Sequence, residues 1–265
     1  VGNNLECLEQ VLEYNRAHGI LFFRISSDLV PFASHPVCRV HWRKHFSTAF
    51  RRIGAFIQKH RMRVSMHPDQ FIVLNSPDTA VYRRSVSELR YHAEVLDALE
   101  LDPSAKIQLH AGGVYGDRER SIKRFVKRWH ALEPRIRKRL VIENDERSYG
   151  AADCLAIHRD TGVPVLFDFF HHSILGGGLP VKKAFHLCAK TWSRGDGIPM
   201  TDYSSQNPGA RPGSHAVSID CRDFKKTVRA TAPVDHDIML EIKDKETSAL
   251  RAVKAIRTDS RFVAP

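Results

Sequence analysis

Leu140-Val141-Ile142-Glu143-Asn144-Asp145 is the stretch on which the fold turns. Three apolar residues run without a polar break, then give way to a carboxylate, an amide and a second carboxylate. A strand covered on both faces, as in a parallel sheet layered with helices, reads as such an unbroken apolar run. Nearly continuous apolar runs recur at 21–26, 63–67, 106–110, 163–168, 198–204 and 237–243. Longer amphipathic stretches separate these runs, at 42–60, 79–99, 119–131, 151–161, 181–191, 222–230 and 246–258, and another at 4–18 opens the chain. Repeated strand-then-helix order predicts a parallel sheet covered by helices, and 265 residues is close to the size of one (β/α)8 barrel.

Counted this way there are seven strands and eight helices. The expected fold is therefore an α/β TIM barrel lacking its first strand, either because the chain is truncated or because the barrel is open at that point. One catalytic domain over residues 1–265 is expected, since no linker, low-complexity segment or 20–50-residue repeat breaks the chain. An open doubly wound sheet is the alternative. Against it, no GxGxxG or Walker-type loop follows any candidate strand.

Composition narrows the function classes. Hydrophobic residues make up 42%, enough for a sizeable core. Lys and Arg outnumber Asp and Glu by 41 to 30, a formal net charge of +11 that favours a polyanionic partner, because neutralising phosphates releases counterions. Five scattered cysteines form no CxxC pair, which fits a reducing, cytoplasmic setting better than a disulfide framework or a zinc ribbon. No run of about 18 apolar residues predicts a membrane span, and the first residues lack the pattern of a signal peptide.

The strand ends carry the chemistry. They read Ser65-Met66-His67-Pro68, Leu109-His110-Ala111-Gly112-Gly113, Glu143-Asn144-Asp145-Glu146, Asp168-Phe169-Phe170-His171-His172, Thr201-Asp202-Tyr203 and Glu241-Ile242-Lys243. In a (β/α)8 barrel those ends converge on the face that holds active sites. One histidine at a strand end is more often a hydrogen-bonded core residue than a ligand, and one acidic residue can simply cap the next helix. Together the groups are too many and too charged to bury without divalent ions, for which imidazoles and carboxylates are the ligand set. They exceed the needs of one ion, so a cluster of two or three is expected. Two loop histidines lie on the same side, His35 in Pro31-Phe32-Ala33-Ser34-His35-Pro36 and His215 in Arg211-Pro212-Gly213-Ser214-His215. Arg211 is a natural phosphate partner. The remaining histidines, His92 and His236 among them, are expected to fill surface or core. The basic runs at 43–63 and 118–139 are expected to be mainly solvated helix faces.

These segments, in this order and across nearly the whole chain, resemble the UV damage endonuclease family, a relative of endonuclease IV in the metal-dependent TIM-barrel group. The resemblance implies three divalent ions, commonly manganese, with zinc, magnesium or cobalt as other candidates. It implies nicking of double-stranded DNA immediately 5′ to a UV photoproduct, leaving a 3′-hydroxyl. Carried over residue by residue, His67, His110 and Glu143 match one ion's ligands. Glu143 bridges to a second ion held with Asp168 and Glu241, while His171 and His215 match ligands of the third. His35 matches a histidine of the same pocket.

The sequence departs from the family pattern in three places. Met200-Thr201-Asp202 stands where a Lys-x-His is expected, which leaves Asp202 able to ligate a hard cation and removes the modified lysine. A lesion-wedging Gln-Tyr pair appears as Gln70-Phe71, keeping the stacking surface and losing the hydroxyl. The family's first strand, with its lesion-probing Tyr and Asn, is absent.

The expected reaction is metal-assisted phosphodiester hydrolysis, with no residue nucleophile. Glu143 is the main catalytic candidate, and Lys243 a candidate phosphate contact. Gln70 and Phe71 are expected to fill the gap left by an extruded lesion, with His35 and Arg211 as further DNA contacts. The partner is lesion-containing duplex DNA, met by a monomer. A sugar isomerase or epimerase on the same barrel, an AP endonuclease, and a basic DNA-binding module with structural metals are the rivals.

Overall fold

In the computed structural model, which describes residues 1–264, every expected strand forms, and none is longer than its apolar run. They are β1 (Phe22–Ile25), β2 (Arg63–Met66), β3 (Lys106–His110), β4 (Leu140–Glu143), β5 (Val165–Asp168), β6 (Met200–Tyr203) and β7 (Asp237–Leu240). Their order in the sheet follows the chain. The helices are α1 (Gly2–Ala17), α2 (Trp42–His45), α3 (Ser47–Lys59), α4 (Thr79–Ala98), α5 (Arg118–His130), α6 (Pro134–Arg137), α7 (Ala151–Thr161), α8 (Phe169–Ile174), α9 (Val181–Ala189), α10 (Cys221–Ala230) and α11 (Glu246–Ile256). Phe46, at φ −104 and ψ 17, splits the helix expected over 42–60 into α2 and α3. Two short helices were not expected, α6, with Pro134 at its first position, and α8, capped by Asp168.

Contacts divide the residues into two compact units, Val1–Ala17 with Leu21–Val141, and His18–Ile20 with Ile142–Pro265. In the first unit β1 pairs with β2 and β2 with β3, all parallel, as in Phe22 with Arg63 and Met66 with Ile107. Leu5, Leu8 and Leu12 of α1 and Phe50, Ile53 and Ile57 of α3 are buried at 3.6-residue spacing. Gly54 lets α3 approach the end of α4, because a Cβ there would lie 1.8 Å from the Leu99 carbonyl oxygen. In the second unit β4, β5, β6 and β7 pair successively in parallel, with Glu143 opposite Leu166, Asp168 opposite Asp202 and Tyr203 opposite Leu240. Phe169 stacks on Phe185 with ring centroids 5.7 Å apart, and Phe167 meets Phe185 edge-on at 6.3 Å.

Much of the second basic run is structural. Arg124 Nε donates to the Asn75 carbonyl at 2.5 Å, and Arg128 Nη1 to the carbonyls of Leu74, at 2.6 Å, and Ser76. Arg139 is buried and donates to Asp97 and to the carbonyls of Leu101, Asp102 and Ala105. Among the described residues no helix is long and apolar enough to cross a membrane.

Candidate metal centre

The second unit gathers its acidic strand ends. Glu143, Asp168 and His171 each offer a donor atom within 4.8 Å of the others, and Asp168, Asp202 and Glu241 do the same, so Asp168 belongs to both groups. Register explains the second group: Asp168 and Asp202 are directly paired on β5 and β6, and Glu241 follows β7 at once. Glu143, Asp168 and Asp202 are almost wholly buried.

Backbone and side chains hold these groups in place. The Asn144 amide clamps β4 to β5, donating to the Asp168 carbonyl at 3.0 Å and accepting from the Asp168 amide at 3.0 Å. Asp168 Oδ1 caps α8 by accepting from the His171 amide at 2.7 Å, which swings the imidazole back over the strand ends. His171 Nδ1 then lies 3.0 Å from Glu143 Oε1 and 3.4 Å from Asp168 Oδ2, and its Nε2 lies 3.6 Å from Glu146. Asp145 shapes the next turn, accepting from the amides of Arg147, Ser148 and Tyr149.

The electrostatics suit cations. Burial pushes the Asp168 carboxyl well above its ordinary range; His171 opposes this, and Glu143, Asp202 and Glu241 add to it. Burial works against charge on His171, but its hydrogen bond to Glu143 and the charges of Asp168, Glu143 and Glu146 carry it up to about 11. A buried donor set of carboxylates and an imidazole, converging within bonding reach, fits divalent ions. Met200 is buried and offers no such donor.

His215 sits beside the second group, its Nδ1 2.8 Å from the Glu241 carbonyl oxygen and its ring centroid 5.1 Å from that of Phe170. It joins neither three-donor group. His171 clusters with Glu143 and Asp168, whereas the resemblance implies that it shares an ion with His215. β7 ends at Leu240, so Lys243 belongs to the following turn and is exposed, as is Arg211.

In the first unit His67 and His110 face each other at the ends of β2 and β3, with ring centroids 5.3 Å apart. His67 Nδ1 is 2.8 Å from the Pro68 carbonyl oxygen, which can only accept, so Nδ1 carries the proton and Nε2 carries the lone pair. Ser27 donates to the His67 carbonyl at 2.6 Å, and buried His92, taken from sequence as filler, places Nε2 3.1 Å from that hydroxyl. After His110 the chain turns at Gly112, φ +97, where a Cβ would lie 2.2 Å from Asn75 Oδ1. Gln70 and Phe71 are exposed, Phe71 at 70%. His35 is also exposed, its Nδ1 accepting from the Val37 amide at 3.2 Å, and it joins none of the donor groups.

A family model described as UV-endonuclease UvdE matches residues 1–262. The chain belongs to the UvdE family. The UV DNA damage endonuclease of Clostridium perfringens (strain 13 / Type A) is 39% identical over 256 residues, which are 96% of this chain and 62% of the relative. That of Bacillus mycoides (strain KBAB4) is 34% identical over 252 residues, 94% of this chain and 80% of the relative. The chain thus spans less than two thirds of the Clostridium protein. Among solved structures, SacUVDE matches with a TM-score of 0.92 at 46% identity, covering 97% of this chain and 86% of that one. A D-psicose 3-epimerase matches with a TM-score of 0.62 at 14% identity, covering 96% of this chain and 93% of that one, a likeness of fold alone. The chain therefore has the (β/α)8-barrel fold read from its sequence, with seven strands among the described residues.

Two further residues contribute to the candidate site: Glu146 lies 3.6 Å from His171 Nε2, and Asn144 locks the two strands that carry Glu143 and Asp168. The sequence signal for Asn144 is an amide between two carboxylates at a strand end.

Proposed function

We propose that this UvdE-family chain is a divalent-metal-dependent endonuclease that nicks duplex DNA immediately 5′ to UV photoproducts, cyclobutane pyrimidine dimers and 6-4 photoproducts foremost. The observation that carries the metal dependence is the pair of donor groups that share Asp168, every member buried except half-buried Glu241. The family match and the +11 charge support DNA as the substrate.

Three ions are proposed, manganese foremost. Glu143, Asp168 and His171 hold one. Asp168, Asp202 and Glu241 hold another, with His215 beside them. The His67–His110 pair supplies ligands for a third. Bound ions would supply Lewis-acid polarisation of the phosphodiester and lower the pKa of an attacking water. The residues themselves do the positioning. Asn144 fixes the Asp168 backbone, the Asp168 cap aims His171, and the Pro68 carbonyl sets the His67 tautomer. Lys243 and Arg211, both exposed, contact phosphates, while Phe71 and Gln70 fill the gap beside an extruded lesion, which leaves the stack more cheaply than a normal base.

A labelled duplex with one photoproduct tests this reading. The expected product is a single nick 5′ to the lesion, whose 3′ end a polymerase extends without trimming, and chelator abolishes it. A cut elsewhere, or a 3′ end that blocks extension, contradicts it.

A further inference from the structure

Phe32 is the most exposed large apolar side chain among the described residues, at 72%. Its backbone is left-handed, φ 59°, a conformation that suits glycine and strains a residue with a side chain. The turn that carries it is not slack. Leu29 and Val30, at its base, are buried. The Val30 amide donates to the Tyr91 hydroxyl at 2.9 Å, and that hydroxyl donates to the Ser27 carbonyl at 2.9 Å. Asn4 Nδ2 donates to the Leu29 carbonyl at 3.1 Å. Beyond the base, Ala33 N donates to the Val30 carbonyl at 3.2 Å and His35 N to the Phe32 carbonyl at 2.9 Å.

A pinned turn thus carries a bare phenyl ring into water on a strained backbone, and packing within the first unit accounts for neither feature. Strain of this kind collects where a side chain must meet a ligand. The same segment continues with Val37 and Val40, 63% and 60% exposed, and with exposed Arg39 and Lys44. Apolar tips interleaved with cations suit a polyanion that offers aromatic faces.

We infer that Phe32 is a second DNA-stacking contact, separate from Phe71, whose ring packs on a base laid open by the distorted duplex. This rests on the UV-endonuclease reading above. Phe71 follows β2 and Phe32 follows β1, so the two rings rise from neighbouring parallel strands of one unit.

Phe32→Gly removes the ring and relieves the backbone, so melting temperature stays level or rises. With manganese and a duplex carrying one photoproduct, the variant raises KM for nicking about tenfold, the loss of one stacked base, with kcat within about twofold of wild type. The salt dependence of binding keeps its slope, because the ring neutralises no phosphate. Phe32→Trp places an indole on the same tip, and its emission, read as the difference from the wild type with its native Trp42, Trp129 and Trp192, is quenched by the photoproduct duplex more than by the undamaged one. Wild-type KM in Phe32→Gly, or an unquenched Trp signal, overturns the inference. So does a Trp signal that changes with protein concentration without DNA, which assigns the tip to contact between copies. Failure of the wild-type protein itself to nick the photoproduct duplex overturns the endonuclease reading, and this inference falls with it.

Discussion

Asp168 does two things with two oxygens: Oδ1 caps α8, and the carboxylate belongs to both donor groups. The sequence offered helix cap and metal ligand as competing readings of an acidic strand end, and here they are compatible. Asp168→Asn keeps an acceptor for the cap and removes the charge. Bound manganese, counted by elemental analysis, should fall, and nicking should drop at least about a hundredfold with little change in melting temperature. Full metal content in that variant contradicts the assignment. Phe71→Ala should leave metal content intact and reduce the preference for irradiated over untreated DNA; an equal loss on both substrates argues against the wedge. Strand-end ligands were legible because strand ends of a parallel sheet lie side by side, so adjacent carboxylates need no long-range knowledge. The environment of His35 was not legible, since a loop turn decides it.

At the scale of elements, the Val-, Ile-, Leu- and Phe-rich runs located every strand even though buried polar residues such as Ser65, Lys106, Gln108 and Thr201 interrupt several of them. What was missed is short and set by contacts distant in sequence. The four residues of α6 and six of α8 carry too little periodicity to register, and the break at Phe46 shows no glycine or proline. Nor did the basic run over 118–139 reveal which arginines turn inward. Arg139 is the clearest case, tying the end of α4 and the following turn to the start of β4 through Asp97 and three carbonyls. Arg139→Met preserves volume but strands those acceptors, and should cost about 3 kcal/mol in chemical denaturation. A loss under about 0.5 kcal/mol, the range of an ordinary surface substitution, contradicts a structural role.

Across the whole molecule, charge and two neutral histidines, buried His92 and half-buried His236, set the response to solution conditions. With a net charge of +11, affinity for duplex DNA should fall steeply and linearly in log salt, a slope read by titration at several salt concentrations. His92 and His236 are held neutral, their pKa lowered to about 4, in each case chiefly by burial. The unfolded chain binds protons on these groups from about pH 6.5 downward while the folded chain does not. Stability is therefore complete above about pH 6.5 and lost as pH falls toward 4, by about 3 kcal/mol for buried His92 and less for half-buried His236. Denaturation midpoints at pH 7 and pH 5 check this, and replacing His236 with Gln should flatten the difference.

The most direct test of the central claim is nicking of UV-irradiated against untreated supercoiled plasmid, with manganese and then with chelator. Conversion of irradiated plasmid alone to open circles, restored by manganese after chelation, is the result expected of a metal-dependent UV endonuclease. Equal nicking of both plasmids, or nicking that survives chelation, contradicts it.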